Sequence, residues 1–109
     1  MRVAPISRAL RATEIVANLA KLEGWTLFGD GSTLAIEKTF GFANYYQTMA
    51  FVNAVAFIAH AQDHHPELLV QQRQCLVRWR TDHVQGISQA DFECARQVDA
   101  LQPAPVPTR

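Results

Sequence analysis

Only two cysteines, Cys75 and Cys94, occur among the 109 residues. Two lone thiols make no disulfide framework, and both fall in stretches that read as regular structure, so they are expected to be buried, reduced packing residues. Neither sign of charge predominates, because ten Lys and Arg balance ten Asp and Glu. No global field therefore draws the chain to nucleic acid or to a membrane surface. Long apolar runs are lacking too. The amphipathic N-terminal stretch reads as neither a signal peptide nor a membrane span, and a cytoplasmic location is the default expectation. With no glycine-rich phosphate loop and no nucleophilic serine elbow, nucleotide-dependent and acyl-transfer chemistry have no support. Repeats and long linkers are also missing, so residues 1–101 are expected as a single domain and the proline-rich segment 102–109 as an extended tail. A chain this short builds one modest core and often gains stability by self-association.

What is present has clear periodicity. Ile15, Leu19 and Leu22 recur at helical spacing, and Gly24 follows where a left-handed cap costs least, predicting a helix from about Thr13 to Leu22. Trp25 to Phe28 and Thr33 to Phe40 are rich in β-branched and aromatic residues around the turn residues Gly29 to Ser32, which predicts a hairpin. Leu34, Ile36 and Lys38 should share one face of its second strand, and the lysine suggests a partly covered face. From Asn44 to Gln62 runs a helix with two apolar stripes, Met49, Val52, Ala56 and Ala59 on one and Phe51, Val55 and Ile58 on the other. One stripe can pack on the sheet and the other can meet a second copy of the chain, so a homo-oligomer is expected, a dimer ahead of a tetramer.

Two further strands are predicted at Glu67 to Gln72 and Cys75 to Thr81, where Cys75, Val77 and Trp79 alternate with Leu76, Arg78 and Arg80. Ser88, with Asp91 three residues on, opens a last helix through a capping box. The expected fold is α+β: a four-stranded antiparallel sheet with three helices packed on one face, in the order helix, two strands, helix, two strands, helix.

Chemistry is concentrated in the histidines. His60, His64 and His65 crowd the end of the long helix, and His83 follows the last strand. Imidazole exchanges protons near neutral pH, so the adjacent pair suggests acid/base work, although a histidine near a helix C-terminus also serves the helix dipole alone. Pro66 disfavours helical geometry at His65 and places the pair at a helix-to-strand corner. His60 and His64 are spaced to share a metal ion on one helical face, but no glutamate base follows the first and no third ligand is near in sequence, so no metal is expected.

The run from Phe40 to Glu67, FGFANYYQTMAFVNAVAFIAHAQDHHPE, resembles the signature region of the pterin-4a-carbinolamine dehydratases, and the likeness extends to Leu22, Gly24 and Trp25 and to Gly86, Ile87, Ser88 and Asp91. It covers roughly residues 13 to 100. The resemblance implies a dimer or tetramer. It implies removal of water from a 4a-hydroxytetrahydropterin to give the quinonoid dihydropterin, with no metal or organic cofactor. His64 would be an acid/base group, His65 would bind and orient the substrate beside Pro66 and His60, and Asp91 would support the site.

The chain also departs from that pattern. The position of the family's third histidine holds Asp82, with His83 one residue late, and an exposed carboxylate is a poor match for a group that must hold a proton near neutral pH. Gln72 and Leu68 stand where aromatics are common, which would thin the wall against which a pterin stacks. Leu76, Arg78 and Arg80 form an outward strand face suited to a partner protein. These departures predict a dehydratase-like protein that has lost most activity and acts by protein binding; the altered third-histidine position resembles the family branch encoded with carboxysome components, which implies a RuBisCO assembly factor associated with the α-carboxysome. The alternative is an active dehydratase with a site rearranged around Asp82 or His83.

Overall fold

A computed structural model describes residues 8–101. Its elements are α1 (Ala12–Leu19), β1 (Thr26–Phe28), β2 (Ala35–Gly41), α2 (Tyr45–Gln62), β3 (Glu67–Gln71), β4 (Gln74–Trp79) and α3 (Gln89–Asp99), with single 3-10 turns at Gly31–Thr33 and Asp82–Val84. The strands form one antiparallel sheet in the order β1-β2-β4-β3. The proline-rich segment lies outside the described residues.

Strand register explains which side is covered. Opposite one another on β2 and β4 stand Ile36 and Trp79, Lys38 and Val77, Phe40 and Cys75. Except for Lys38 these are buried, in one cluster with Ile15 of α1, Phe51, Val55 and Ile58 of α2, and Phe92, Ala95 and Val98 of α3. All three helices thus feed a single sheet face, as the alternation along β4 predicts. Lys38 belongs to that face but escapes burial of its charge. Its stem passes Phe40, with the amine 5.0 Å from the ring centroid, and Nζ reaches Asp99 Oδ1 at 3.0 Å and the Glu23 carbonyl at 3.1 Å. Trp25 Nε1 donates to the same carboxylate, which ties the end of α3 to the start of the sheet.

The hairpin turn needs glycine at Gly29, where φ is +78° and a Cβ would lie 2.7 Å from the Thr33 carbonyl oxygen. Of the two stripes on α2, Phe51, Val55 and Ile58 face the core, joined by Thr48 and Ala59, whereas Met49 and Val52 are half-buried and Ala56 is exposed. Tyr46 and Phe57 project from the outer side at 83% and 73% exposure. Both cysteines are free and buried. Burial pushes both thiols up, Cys94 to about 12 with help from the nearby Asp91 and Glu93 charges.

Candidate functional site

Helix α2 ends where Asp63 takes a left-handed conformation, φ 54° and ψ 44°, which Asp tolerates better than most residues. Its N–H bonds the His60 carbonyl at 3.2 Å and that of His64 bonds the Ala59 carbonyl at 3.1 Å, so the chain reverses sharply before Pro66 and β3. This turn separates residues that helical spacing would align. His60 stays exposed on the last turn of α2, and His64 is off the helix, so the pair does not share a helical face. Among the described residues no three His, Cys, Asp or Glu side chains come together as metal ligands.

His64 turns inward. Its Nε2 lies 2.6 Å from Asp91 Oδ1, and its ring stacks on Trp79 at 5.4 Å between centroids with planes 16° apart. Asp91 is 0% exposed, held at the third position of α3 by the capping box of Ser88. Its other oxygen, Oδ2, accepts the Thr81 hydroxyl at 2.8 Å and the Ser88 N–H at 2.9 Å. A carboxylate oxygen accepts and does not donate, so with Asp91 ionised the donor on the shared axis is Nε2–H.

His65 faces the opposite way, into a cleft lined also by Glu67, Arg78, Arg80 and Asp82. The cleft opens on the uncovered sheet face, where Arg78 stands in register between Glu37 and Glu67. Arg78 Nε meets Glu37 at 2.8 Å, and Glu67 Oε1 receives Arg78 at 3.2 Å and Arg80 at 3.0 Å. The Arg78 guanidinium also sits 3.6 Å from the centroid of the Phe28 ring. The Arg78 hydrogen bond, opposed by burial and aided by Arg80, holds Glu67 below the ordinary carboxylate range. Burial works against the Arg78 charge, but the bonds to Glu37 and Glu67 outweigh it and hold its pKa up. Arg78 and Arg80 thus have carboxylate partners within the chain, with half-buried Leu76 beside them on the strand.

Strand β4 stops at Trp79, and Thr81 pairs with Gly86 across a short loop. Asp82 and His83 therefore lie on a 3-10 turn, where successive side chains diverge by a third of a turn rather than by the half-turn of a strand. Asp82 reaches the cleft, whereas His83 is exposed and is not among the residues lining it. Gln72 is in the β3–β4 turn, five strand residues and roughly 17 Å from the His65 corner. An aromatic there would not wall this chain's own cleft. Half-buried Leu68 packs against the core instead. Among the described residues, two buried donors, Trp79 Nε1 and Arg80 Nε, lack hydrogen-bond partners, and both belong to the end of β4 beside this corner.

The site thus has an inner part, His64, Asp91, Thr81 and Ser88, and an outer part, His65 and Asp82 with Glu67, Arg78 and Arg80. Single peptide steps, His64 to His65, and Thr81 through to Asp82, join them. Sequence reading missed Thr81 and Trp79; no spacing rule links Thr81 to an aspartate ten residues away, and Trp79 read simply as core.

The family model described as pterin 4 alpha carbinolamine dehydratase matches residues 8–101. The chain belongs to the pterin-4a-carbinolamine dehydratase family. A protein from Paracidovorax citrulli that carries this dehydratase name provisionally is 63% identical over 94 residues, covering 86% of this chain and 81% of the relative. A provisionally so named protein from Bdellovibrio bacteriovorus is 50% identical, covering 89% and 81%. Among solved structures, the transcriptional coactivator/pterin dehydratase from Brucella melitensis aligns with a TM-score of 0.80 at 26% identity, covering 86% of this chain and 98% of that one. A pterin dehydratase-like protein identified as a RuBisCO assembly factor in the α-carboxysome aligns with a TM-score of 0.62 at 25% identity, covering 72% and 89%. The dehydratase family resemblance and its α+β fold are thereby borne out.

Proposed function

We propose that this member of the dehydratase family is an active 4a-hydroxytetrahydropterin dehydratase, in which His64 exchanges the proton that the reaction moves. The observation that carries the reading is the His64 contact with a wholly buried Asp91 carboxylate. Burying a carboxylate costs several kcal/mol unless it is fully paired, and a helix cap alone needs no such burial. A histidine held by that carboxylate has a fixed tautomer and one free nitrogen, which is what acid/base chemistry requires.

Dehydration removes hydroxide from the C4a carbon and a proton from the adjacent ring nitrogen, which together make one water. On this reading His64 Nδ1 handles a proton of that pair, His65 orients the ring at the cleft, and Asp82 stands at the cleft position where the family pattern has histidine. This reverses the weight that the sequence alone puts on a decayed site. Asp82 changes the outer part of the site and leaves the His64–Asp91 pair untouched.

A second reading, protein binding with RuBisCO as the first candidate, draws on the likeness to the assembly factor and on an uncovered sheet face bearing exposed Phe28 and Leu69. A carboxysome association belongs to that reading alone. Under either, the outer side of α2 with Tyr46 and Phe57 supports a homo-oligomer, a dimer or a tetramer. The test is turnover of 4a-hydroxytetrahydropterin by the natural chain, run beside an Asp82→His/His83→Asp double variant. Turnover by the natural chain supports the dehydratase reading. An inert natural chain with an active double variant means that chemistry was lost at Asp82, and co-purification with RuBisCO would then be the next assay.

A further inference from the structure

We propose that Thr81 is a positioning residue for the acid/base histidine: acting through Asp91, its hydroxyl fixes which nitrogen of His64 exchanges the proton. Counting protons gives the direction of every bond in the inner cluster. The Asp91 backbone N–H donates to the Ser88 carbonyl oxygen at 3.1 Å. Asp91 as a carboxylate has no proton to offer, so the 2.8 Å contact must be Thr81 O–H donating to Oδ2. Thr81 has only that one proton. Its 2.7 Å contact with Ser88 Oγ therefore uses the Ser88 proton, and the chain of donors runs from Ser88 to Thr81 to Asp91.

Oδ2 thus holds two donors, Thr81 O–H and Ser88 N–H, and Oδ1 is left for His64 Nε2–H. Thr81 is 1% exposed, so water does not readily replace its hydroxyl, and it is not among the residues lining the cleft. Losing the hydroxyl takes one donor from the carboxylate and leaves Ser88 O–H without its acceptor. The lost donor makes protonation of Asp91 less costly, so that when Nδ1 takes a proton from solvent the Nε2 proton can pass to Oδ1, which leaves a neutral ring with Nε2 as acceptor and hydrogen on Nδ1. Because Thr81 does not face the cleft, the expected loss is in kcat, roughly ten- to hundredfold, with KM nearly unchanged.

The kinetic arm rests on the dehydratase reading, but the spectroscopic arm does not. Nitrogen NMR of His64 in the natural chain should show Nε2 protonated and Nδ1 free in the neutral ring. Thr81→Val should raise the opposite tautomer, and Thr81→Ser should restore both the pattern and kcat. If Thr81→Val does not fold, Thr81→Ala is read in the same way. The proposal is overturned by a natural spectrum with Nδ1 protonated, by a hydroxyl-deleted variant whose His64 tautomer is unchanged, or by Thr81→Ser behaving like the hydroxyl-deleted variants. An inert natural chain with the expected spectra would sink the dehydratase reading and leave the Thr81 inference standing.

Discussion

Replacing Asp91 by Asn should separate stability from chemistry. The carboxylate accepts three hydrogen bonds, from Thr81, Ser88 and His64. An Asn oxygen can take over Thr81 and Ser88, leaving its NH2 to face His64 Nε2, which must then be an acceptor. Three charge-assisted bonds become neutral, at about 1 kcal/mol each, or ~3 kcal/mol in total. Against this, the variant no longer buries a charge, which relieves several kcal/mol of desolvation. The two nearly offset, so Asp91→Asn should unfold in urea within ~2 kcal/mol of the natural chain. Activity should not survive so well. With Nδ1 carrying hydrogen, neutral His64 has no free nitrogen to offer, and dehydration should fall by roughly 10²- to 10⁴-fold. Asp91→Ala, which strands the donors in a dry site, should instead lose about 3–5 kcal/mol of stability. An Asn variant with full turnover would refute the reasoning, since the carboxylate would then not set the state of His64.

Other consequences are simpler. Phe92, 0% exposed within the joint core of α3 and the sheet, should cost about 3–5 kcal/mol on truncation to Ala, seen as a lower urea midpoint at unchanged slope. Cys94, pushed up to about 12, should resist iodoacetamide at pH 8 in the folded chain and react in urea. Its raised pKa contributes stability that is complete below the ordinary thiol value and is lost as pH rises from there toward 12, so alkaline unfolding should be milder in Cys94→Ala after allowing for its lost packing. Phe57→Glu, on the exposed side of α2, should lower the mass of the proposed homo-oligomer by light scattering while the fold remains by circular dichroism; an unchanged mass would remove that face from the proposed contact.

Where local rules act alone, the sequence was legible. Alternation along β4 named its buried residues, Ser88 and Asp91 marked the start of α3, and Pro66 marked the corner after α2. Failures came where a side chain's fate depends on a distant strand. Arg78 reads as part of an outward face offered to a partner protein until register sets it between Glu37 and Glu67, from two other strands. Lys38 reads as a sign of a partly covered face until Asp99, distant in sequence, meets its amine. The adjacent His64 and His65 read as one site, yet the backbone after Asp63 sends one to Asp91 and the other to the open cleft. The predicted strand runs on to Thr81, because nothing in the spacing shows that β4 ends at Trp79 and that Asp82 and His83 enter a 3-10 turn. Thr81 was invisible for a different reason: its hydroxyl matters only because Asp91 is buried, and burial is a property of the whole fold.

The most direct test of the central claim is the rate of 4a-hydroxytetrahydropterin dehydration with the natural chain and with His64→Gln, each checked for its fold by circular dichroism. The account predicts clear acceleration over the uncatalysed reaction by the natural chain and a loss of at least about 10²-fold in the variant. A natural chain no faster than buffer, or a Gln variant as fast as the natural chain, would contradict it.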